Sequence, residues 1–399
     1  MISKEMYELG SKRSVIREIF EYGNQRRKEV GAENVYDFSL GNPSVPAPNA
    51  VNQAIVDILN TEDAVAVHSY TSAQGSEECR NAMAQSLNKR FGTKFHANNF
   101  YMTVGAAASL SICLKAIAQQ GDEVITFAPF FPEYQCFVEA NGSRLVVIPA
   151  KEDDFQIDFE QLECSLNKKT KAIIINSPNN PAGTVYTEET LKQLAHLLEQ
   201  KQMEYGHAIY LISDEPYREI VYDGYEVPFV TNYYNNTFIC YSFSKALSLP
   251  GERIGYVIVP DEMEQAKEVY LAVCGAGRAL GYVCAPSLFQ KVVARCAYEV
   301  SDLSVYQKNR DLLYEHLISL GFTCVKPKGA FYLFPKALEE NAEAFCERAK
   351  KYDLLLVPGT GFGCPSHVRI SYCVTTEQIE KSMTAFEQLA KEYGYQRNV

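Results

Sequence analysis

The chain has 399 residues, a formal net charge of −11, and 47% hydrophobic and 22% charged residues, the balance of a folded protein with one large domain and a smaller one. That charge, with no basic run longer than pairs such as Arg26-Arg27 or Lys168-Lys169, repels phosphate backbones and argues against nucleic acid as a partner. The start Met1-Ile2-Ser3-Lys4-Glu5 lacks a signal peptide's apolar core, and no apolar run approaches the ~20 residues of a membrane span, so a cytosolic protein without membrane contact is expected.

Apolar residues Val15, Ile16, Ile19 and Phe20 recur at helical spacing and predict a helix over Ser14 to Glu29. The stretch from Ser39 to Pro48 holds Pro43, Pro46 and Pro48, which forbid regular structure and mark a connector between domains. Short β-rich runs then alternate with helical patterns: Val124–Phe127, Arg144–Ile148, Ala172–Asn176, Ala208–Ser213, Phe238–Tyr241 and Ile254–Val259. Several are apolar throughout, as strands of a mostly parallel sheet covered on both faces are. Beyond Pro286 longer helices, Asp302–Leu320 and Thr376–Tyr393, accompany brief strands at Phe331–Phe334 and Val368–Ser371. The expected fold class is therefore α/β, a large domain with a smaller α+β one. Its divisions are 1–44 (helix and connector, grouped with the small domain), 45–285 (large) and 286–399 (small).

Twelve cysteines without a CxxC pair, and histidines at 68, 96, 196, 207, 316 and 367 without ligand spacing, predict reduced core thiols and no metal site.

The densest chemical signal is Ser242-Phe243-Ser244-Lys245, followed by Leu249-Pro250-Gly251-Glu252-Arg253-Ile254-Gly255-Tyr256. A lysine just past a buried strand, flanked by hydroxyls and with an arginine eight residues on, suits a Schiff base whose neighbours hold a phosphate dianion. Asp214 opens Asp214-Glu215-Pro216-Tyr217 at another strand end; alone it reads as a turn residue. Asn176-Ser177-Pro178-Asn179-Asn180-Pro181 follows a third strand; alone it reads as a turn. Thr103-Val104-Gly105-Ala106-Ala107 runs from strand to helix through residues small enough for backbone N–H groups to approach a phosphate, or simply for close packing. Arg369, inside the apolar strand Val368–Ser371, needs an anionic partner.

Taken together and in this order, these motifs resemble the fold type I pyridoxal-phosphate aminotransferases, class I/II branch, over nearly the whole chain. The resemblance implies a seven-stranded, mostly parallel sheet flanked by helices in the large, cofactor-binding domain, and pyridoxal 5′-phosphate as cofactor. It implies that Lys245 carries the cofactor, that Asp214 pairs with its ring nitrogen and that Tyr217 bonds its 3′-oxygen. Ser242, Ser244, Arg253, Gly105, Ala106 and Ala107 hold its phosphate. A stacking ring comes from Pro129-Phe130-Phe131-Pro132-Glu133-Tyr134, with Phe131 the best match and Phe130 and Tyr134 as substitutes. The resemblance also implies that Asn180 contacts both the cofactor's 3′-oxygen and the substrate α-carboxylate, which Arg369 and Gly41 receive as well.

The same resemblance makes Tyr70, in His68-Ser69-Tyr70-Thr71, a residue that crosses a homodimer interface to a neighbour's phosphate. Arg278, in Gly277-Arg278-Ala279-Leu280, is either a solvated helix-end arginine or a ligand for a substrate side-chain carboxylate in the other subunit. The expected activity is ping-pong transfer of an amino group from an L-amino acid, aspartate favoured, to a 2-oxo acid such as 2-oxoglutarate. A carbon–sulfur β-lyase of the cystathionine type is the alternative on the same scaffold. A cofactor-binding regulator is a third reading, disfavoured because only some 40 residues precede the connector. The chain has no tryptophan, so the family's frequent tryptophan contacts to the pocket cannot occur.

Overall fold

In the computed structural model, which describes residues 2–11 and 15–395, the frame is a seven-stranded sheet. Its strands, in chain order, are β1 Phe100–Thr103, β2 Glu123–Phe127, β3 Arg144–Ile148, β4 Thr170–Asn176, β5 Tyr210–Asp214, β6 Thr237–Ser242 and β7 Gly255–Ile258. They lie in the order β1-β7-β6-β5-β4-β2-β3, and β7 alone runs against its neighbours.

β4 shows why these segments are strands. Its run Ala172-Ile173-Ile174-Ile175 sends Ile173 and Ile175 into one core and Ala172 and Ile174 into the other, because successive side chains point to opposite faces. Each isoleucine so buried contributes roughly 1.5–3 kcal/mol. Helices Ala106–Ile117 and Ala266–Ala279 pack against one face through Leu110, Leu114, Val269 and Val273. Asn49–Thr61, Glu77–Phe91, Glu188–Tyr205 and Ser287–Arg295 cover the other through Ile58, Leu87, Leu194 and Val292.

A third core gathers Tyr306, Leu313, Phe345, Ile370 and Phe386. It is built by helices Ser304–Ser319, Ala342–Ala349 and Thr376–Glu392 on a three-stranded antiparallel sheet in which Val368–Ser371 lies between Val357–Pro358 and Tyr332–Leu333. The N-terminal segment joins it, since Tyr36–Asp37 pairs in parallel with Leu354–Leu355 and Phe38 enters that core.

The expected strands are present with ends shifted by one or two residues. The N-terminal helix covers Val15–Val30, while Ser14 lies outside the described residues. A further helix, Lys4–Ser11, precedes it. Helix Ser287–Arg295 packs against Glu77–Phe91 and Asn49–Thr61, with Val292, Val293 and Cys296 in the large sheet's core. Among the described residues no helix is long and apolar enough to cross a membrane.

Candidate active site

Strands β4, β5 and β6 end side by side, with Asn176 in register with Asp214 and Asp214 with Cys240. In sheets of this kind, ligand sites form beyond the strands' carboxyl ends. Past β6, Ser242 caps the short helix Phe243–Ala246, its hydroxyl accepting from the Ser244 amide at 3.1 Å. This turn aims Lys245 back over the sheet, where Nζ donates to the carbonyl of Gly41 at 2.5 Å and lies 5.9 Å from the Tyr217 ring centre. Burial pushes the Lys245 pKa down to about 8, Arg369 and Arg253 adding to the effect against an opposing contribution from Cys373. An amine so poised is neutral often enough to act as a nucleophile or base near neutrality.

Beside it lies an anion cradle. The hydroxyls of Ser242 and Ser244 are 2.6 Å apart, and Arg253 Nη1 donates to the Pro250 carbonyl at 3.1 Å and to Ser244 Oγ at 3.4 Å. Across from them Gly105, with φ +94°, starts helix Ala106–Ile117, and a Cβ on it would lie 2.6 Å from Arg253 Nη2. Only glycine meets both demands. The first N–H groups of that helix, at Ala106 and Ala107, have no intrahelical acceptor and face the same space.

Among the described residues, Asp214 is the one carboxylate lining the cavity. Tyr134 donates to its Oδ2 at 2.6 Å, its backbone carbonyl accepts from Asn176 Nδ2 at 2.7 Å, and its buried Oδ1 has no partner among the described residues. Burial raises its pKa to about 7, while the Tyr134 bond pulls the other way and Glu215 adds repulsion. Three residues on, the Tyr217 hydroxyl sits 2.8 Å from that of Tyr332.

Arg369 reaches the cavity from the small antiparallel sheet. It is buried; Nη1 donates to Asn180 Oδ1 at 3.2 Å, Nη2 to the Ser39 carbonyl at 2.6 Å, and Nε has no partner among the described residues. The Tyr332 and Phe362 rings lie 4.9 and 5.0 Å from its guanidinium. Asn180 is itself fixed by its amide, which donates to Asn176 Oδ1 at 2.7 Å. Among the described residues no carboxylate neutralises Arg369, and burial pushes its pKa down.

These groups enclose a cavity of about 310 Å³ that brings together Lys245, Asp214, Tyr217, Asn180, Arg369, Gly41, Ser242, Ser244, Arg253, Ala106, Ala107 and Phe131. Gly105 stands just behind, against Arg253. Phe131 faces the cavity with its ring edge-on to Tyr134, whereas Phe130 is buried, its amide donating to the Phe362 carbonyl. Tyr70, 95% exposed, and the exposed Arg278 do not line it. Their segments share another surface, where Cys284 Sγ approaches the Thr71 carbonyl at 3.3 Å and Tyr282 and Val283 are exposed. Sequence reasoning passed over Tyr332, Ile16 and Ser39 as site residues, and took Tyr134 only as a possible stacking ring; the sole signal for Tyr332 was an aromatic inside a short strand that turns out to pair with that of Arg369.

Among the described residues, three cationic side chains face a single carboxylate here. An orphaned carboxylate oxygen, an orphaned guanidinium Nε and a glycine-walled cradle fit an anionic phosphorylated heteroaromatic with a ring nitrogen, together with a second carboxylate-bearing ligand.

Comparison with known proteins agrees with this chemistry. A family described as aminotransferase class I and II matches residues 33–386. A solved amino transferase from Eubacterium rectale shares 60% identity over 98% of this chain and 99% of its own, with a TM-score of 0.97. Aspartate aminotransferase from Thermus thermophilus, solved with maleate, shares 27% identity over 98% of this chain and 100% of its own, with a TM-score of 0.84. Aromatic-amino-acid aminotransferase 2 of Thermococcus litoralis is 29% identical over 95% of this chain and 96% of its own.

Proposed function

Since this chain belongs to the class I and II aminotransferases and has their fold type I architecture, we propose that it moves the amino group of an L-amino acid, aspartate favoured, to a 2-oxo acid such as 2-oxoglutarate, with pyridoxal 5′-phosphate as cofactor. The observation that carries this reading is the convergence of Lys245, Asp214 and Arg369 on one cavity from three distant parts of the chain.

When bound, pyridoxal phosphate supplies an electron-accepting ring that takes up the pair left at the amino acid's Cα. Lys245 would hold it covalently, and Ser242, Ser244, Arg253 and the amides of Gly105, Ala106 and Ala107 would hold its phosphate. Asp214 Oδ1 would accept from the ring nitrogen, Tyr217 would donate to the ring's 3′-oxygen, and Phe131 would cover one ring face. Arg369 and Asn180 orient the substrate α-carboxylate beside Gly41. Lys245 Nζ would take the proton from the substrate's Cα and return it to the carbon two atoms further along the conjugated path, a 1,3 shift. Both transfers stay within reach of a single amine that burial keeps near pKa 8.

We assign the two remaining residues to a partner copy's site in a cytoplasmic homodimer, Tyr70 at the phosphate and Arg278 at the substrate's side-chain carboxylate. Their shared exposed surface with Tyr282 and Val283 supports that assignment, and Arg278 is the reason for favouring aspartate. The dicarboxylate maleate in the T. thermophilus relative's structure points the same way.

The test is the absorbance spectrum of purified protein before and after single amino acids and then 2-oxoglutarate, with pyruvate and ammonia assayed in parallel. A cofactor band bleached by L-aspartate and restored by 2-oxoglutarate is expected, with Arg278→Leu losing the aspartate response selectively. A band that persists while pyruvate and ammonia accumulate would instead identify a β-lyase, and no band after cofactor addition would sink the proposal.

A further inference from the structure

Tyr332 lines the same cavity without a part in the scheme above, on whose cofactor assignment this inference rests. It is 2% exposed, and its antiparallel pairing with Ser371 holds it beside Arg369. Its two ends do different things. The ring lies 4.9 Å from the Arg369 guanidinium, and the hydroxyl is 2.8 Å from that of Tyr217. That hydroxyl is also pressed against the connector, since a Cβ on Gly41 would come within 2.0 Å of it. The same Gly41 offers its carbonyl to Lys245 Nζ.

We propose that Tyr332 is a positioning residue for transamination, its hydroxyl setting the donor strength of Tyr217 and its ring forming the shelf on which Arg369 lies. Only one proton occupies the line between two phenols 2.8 Å apart. Burial keeps both neutral, raising Tyr332 to about 12 and Tyr217 well above its ordinary range. When Tyr217 turns its proton toward a bound ring oxygen, its own oxygen is left to accept from Tyr332. Donors in series polarise one another, so Tyr217 becomes the stronger donor. A stronger donor stabilises the ring oxygen's anionic form and lets the lysine-bound chromophore lose its proton at lower pH. The ring's contribution is separate, because a cation over a buried aromatic face is held by the π-quadrupole whether or not the ring carries a hydroxyl.

The experiment is a pH titration of the absorbance of cofactor-loaded wild type, Tyr332→Phe, Tyr217→Phe and the double variant, with KM for L-aspartate measured in Tyr332→Phe and Tyr332→Leu. Tyr332→Phe is expected to raise the spectral midpoint by about half a pH unit and to add nothing in the Tyr217→Phe background. KM should stay level in Tyr332→Phe and rise about tenfold in Tyr332→Leu. An unmoved midpoint in Tyr332→Phe, or the same shift with and without the Tyr217 hydroxyl, overturns the hydroxyl's role; equal KM increases in Phe and Leu overturn the ring's. A wild type without any pH-dependent band defeats the cofactor assignment itself, a failure distinct from these.

Discussion

Tyr134 donates a 2.6 Å hydrogen bond to Oδ2 of Asp214 while Oδ1 of the same carboxylate has no partner among the described residues. The bond anchors the carboxylate by one oxygen and leaves the other to be shared with a ligand. Burial alone would favour the neutral acid, and the phenol opposes that. Tyr134→Phe should therefore lower kcat by about tenfold, consistent with losing one hydrogen bond to a charged group. Stopped-flow single turnovers check it; an unchanged rate would mean that Asp214 needs no support.

Asp214 and Lys245 give the cofactor-free protein opposite slopes of stability against pH. The folded pKa of Asp214 is raised from 3.8 to about 7, so between those values the folded state binds the extra proton and stability falls as pH rises. Across that window the wild type should lose on the order of 4 kcal/mol relative to Asp214→Asn. Lys245 is lowered from 10.5 to about 8, so there the unfolded chain binds more protons and stability climbs with pH. Urea titrations of wild type and Asp214→Asn between pH 4 and 10 test the two slopes, and parallel curves for the two below pH 7 would contradict the first.

Gly105→Ala combines a side chain at φ +94° with a contact 2.6 Å from Arg253. The arginine must move out of the cradle, and cofactor affinity should drop at least about tenfold while the fold persists. Equilibrium dialysis against pyridoxal phosphate, with far-UV circular dichroism as the folding control, decides this.

Among the described residues, Arg369 is a buried cation with one donor unpaired and no carboxylate beside it. Arg369→Met should raise KM for the amino acid by about 100-fold and yet stabilise the cofactor-free protein by about 1 kcal/mol. Arg369→Lys, which keeps the charge but loses the planar fork, should recover only part of the affinity. Thermal melts beside steady-state kinetics make the comparison, and a destabilised methionine variant would show the guanidinium to be better satisfied than its geometry suggests.

Much of this site was legible because its residues stand at strand ends, where chemical side chains interrupt apolar runs. Lys245 and Arg253 belong to one local string, and Asp214 closes a strand whose other residues are all hydrophobic or small. Tyr332 was not legible in this way. Its contact with Tyr217 spans 115 residues and depends on the register of a two-residue strand. The Tyr134 bond to Asp214 spans 80 residues, and nothing local distinguishes that phenol from the phenylalanines before it. Helix Ser287–Arg295 carries an apolar stripe, but a stripe tells only that a helix is buried on one side and not against which core.

The cavity's two halves differ in how far along the chain their parts were gathered. The cradle contact between Arg253 and Ser244 closes a loop of nine residues, whereas Arg369 meets Asn180 across 189 and the Ser39 carbonyl across 330. Loosening the small antiparallel sheet would therefore part Arg369 from Asn180 while leaving the hydroxyl-and-arginine turn beyond β6 whole. With the proposed cofactor bound, a heat-stressed or proteolytically nicked preparation would then keep its colour after it had stopped responding to amino acids, so that pigment content would overstate the fraction of competent molecules.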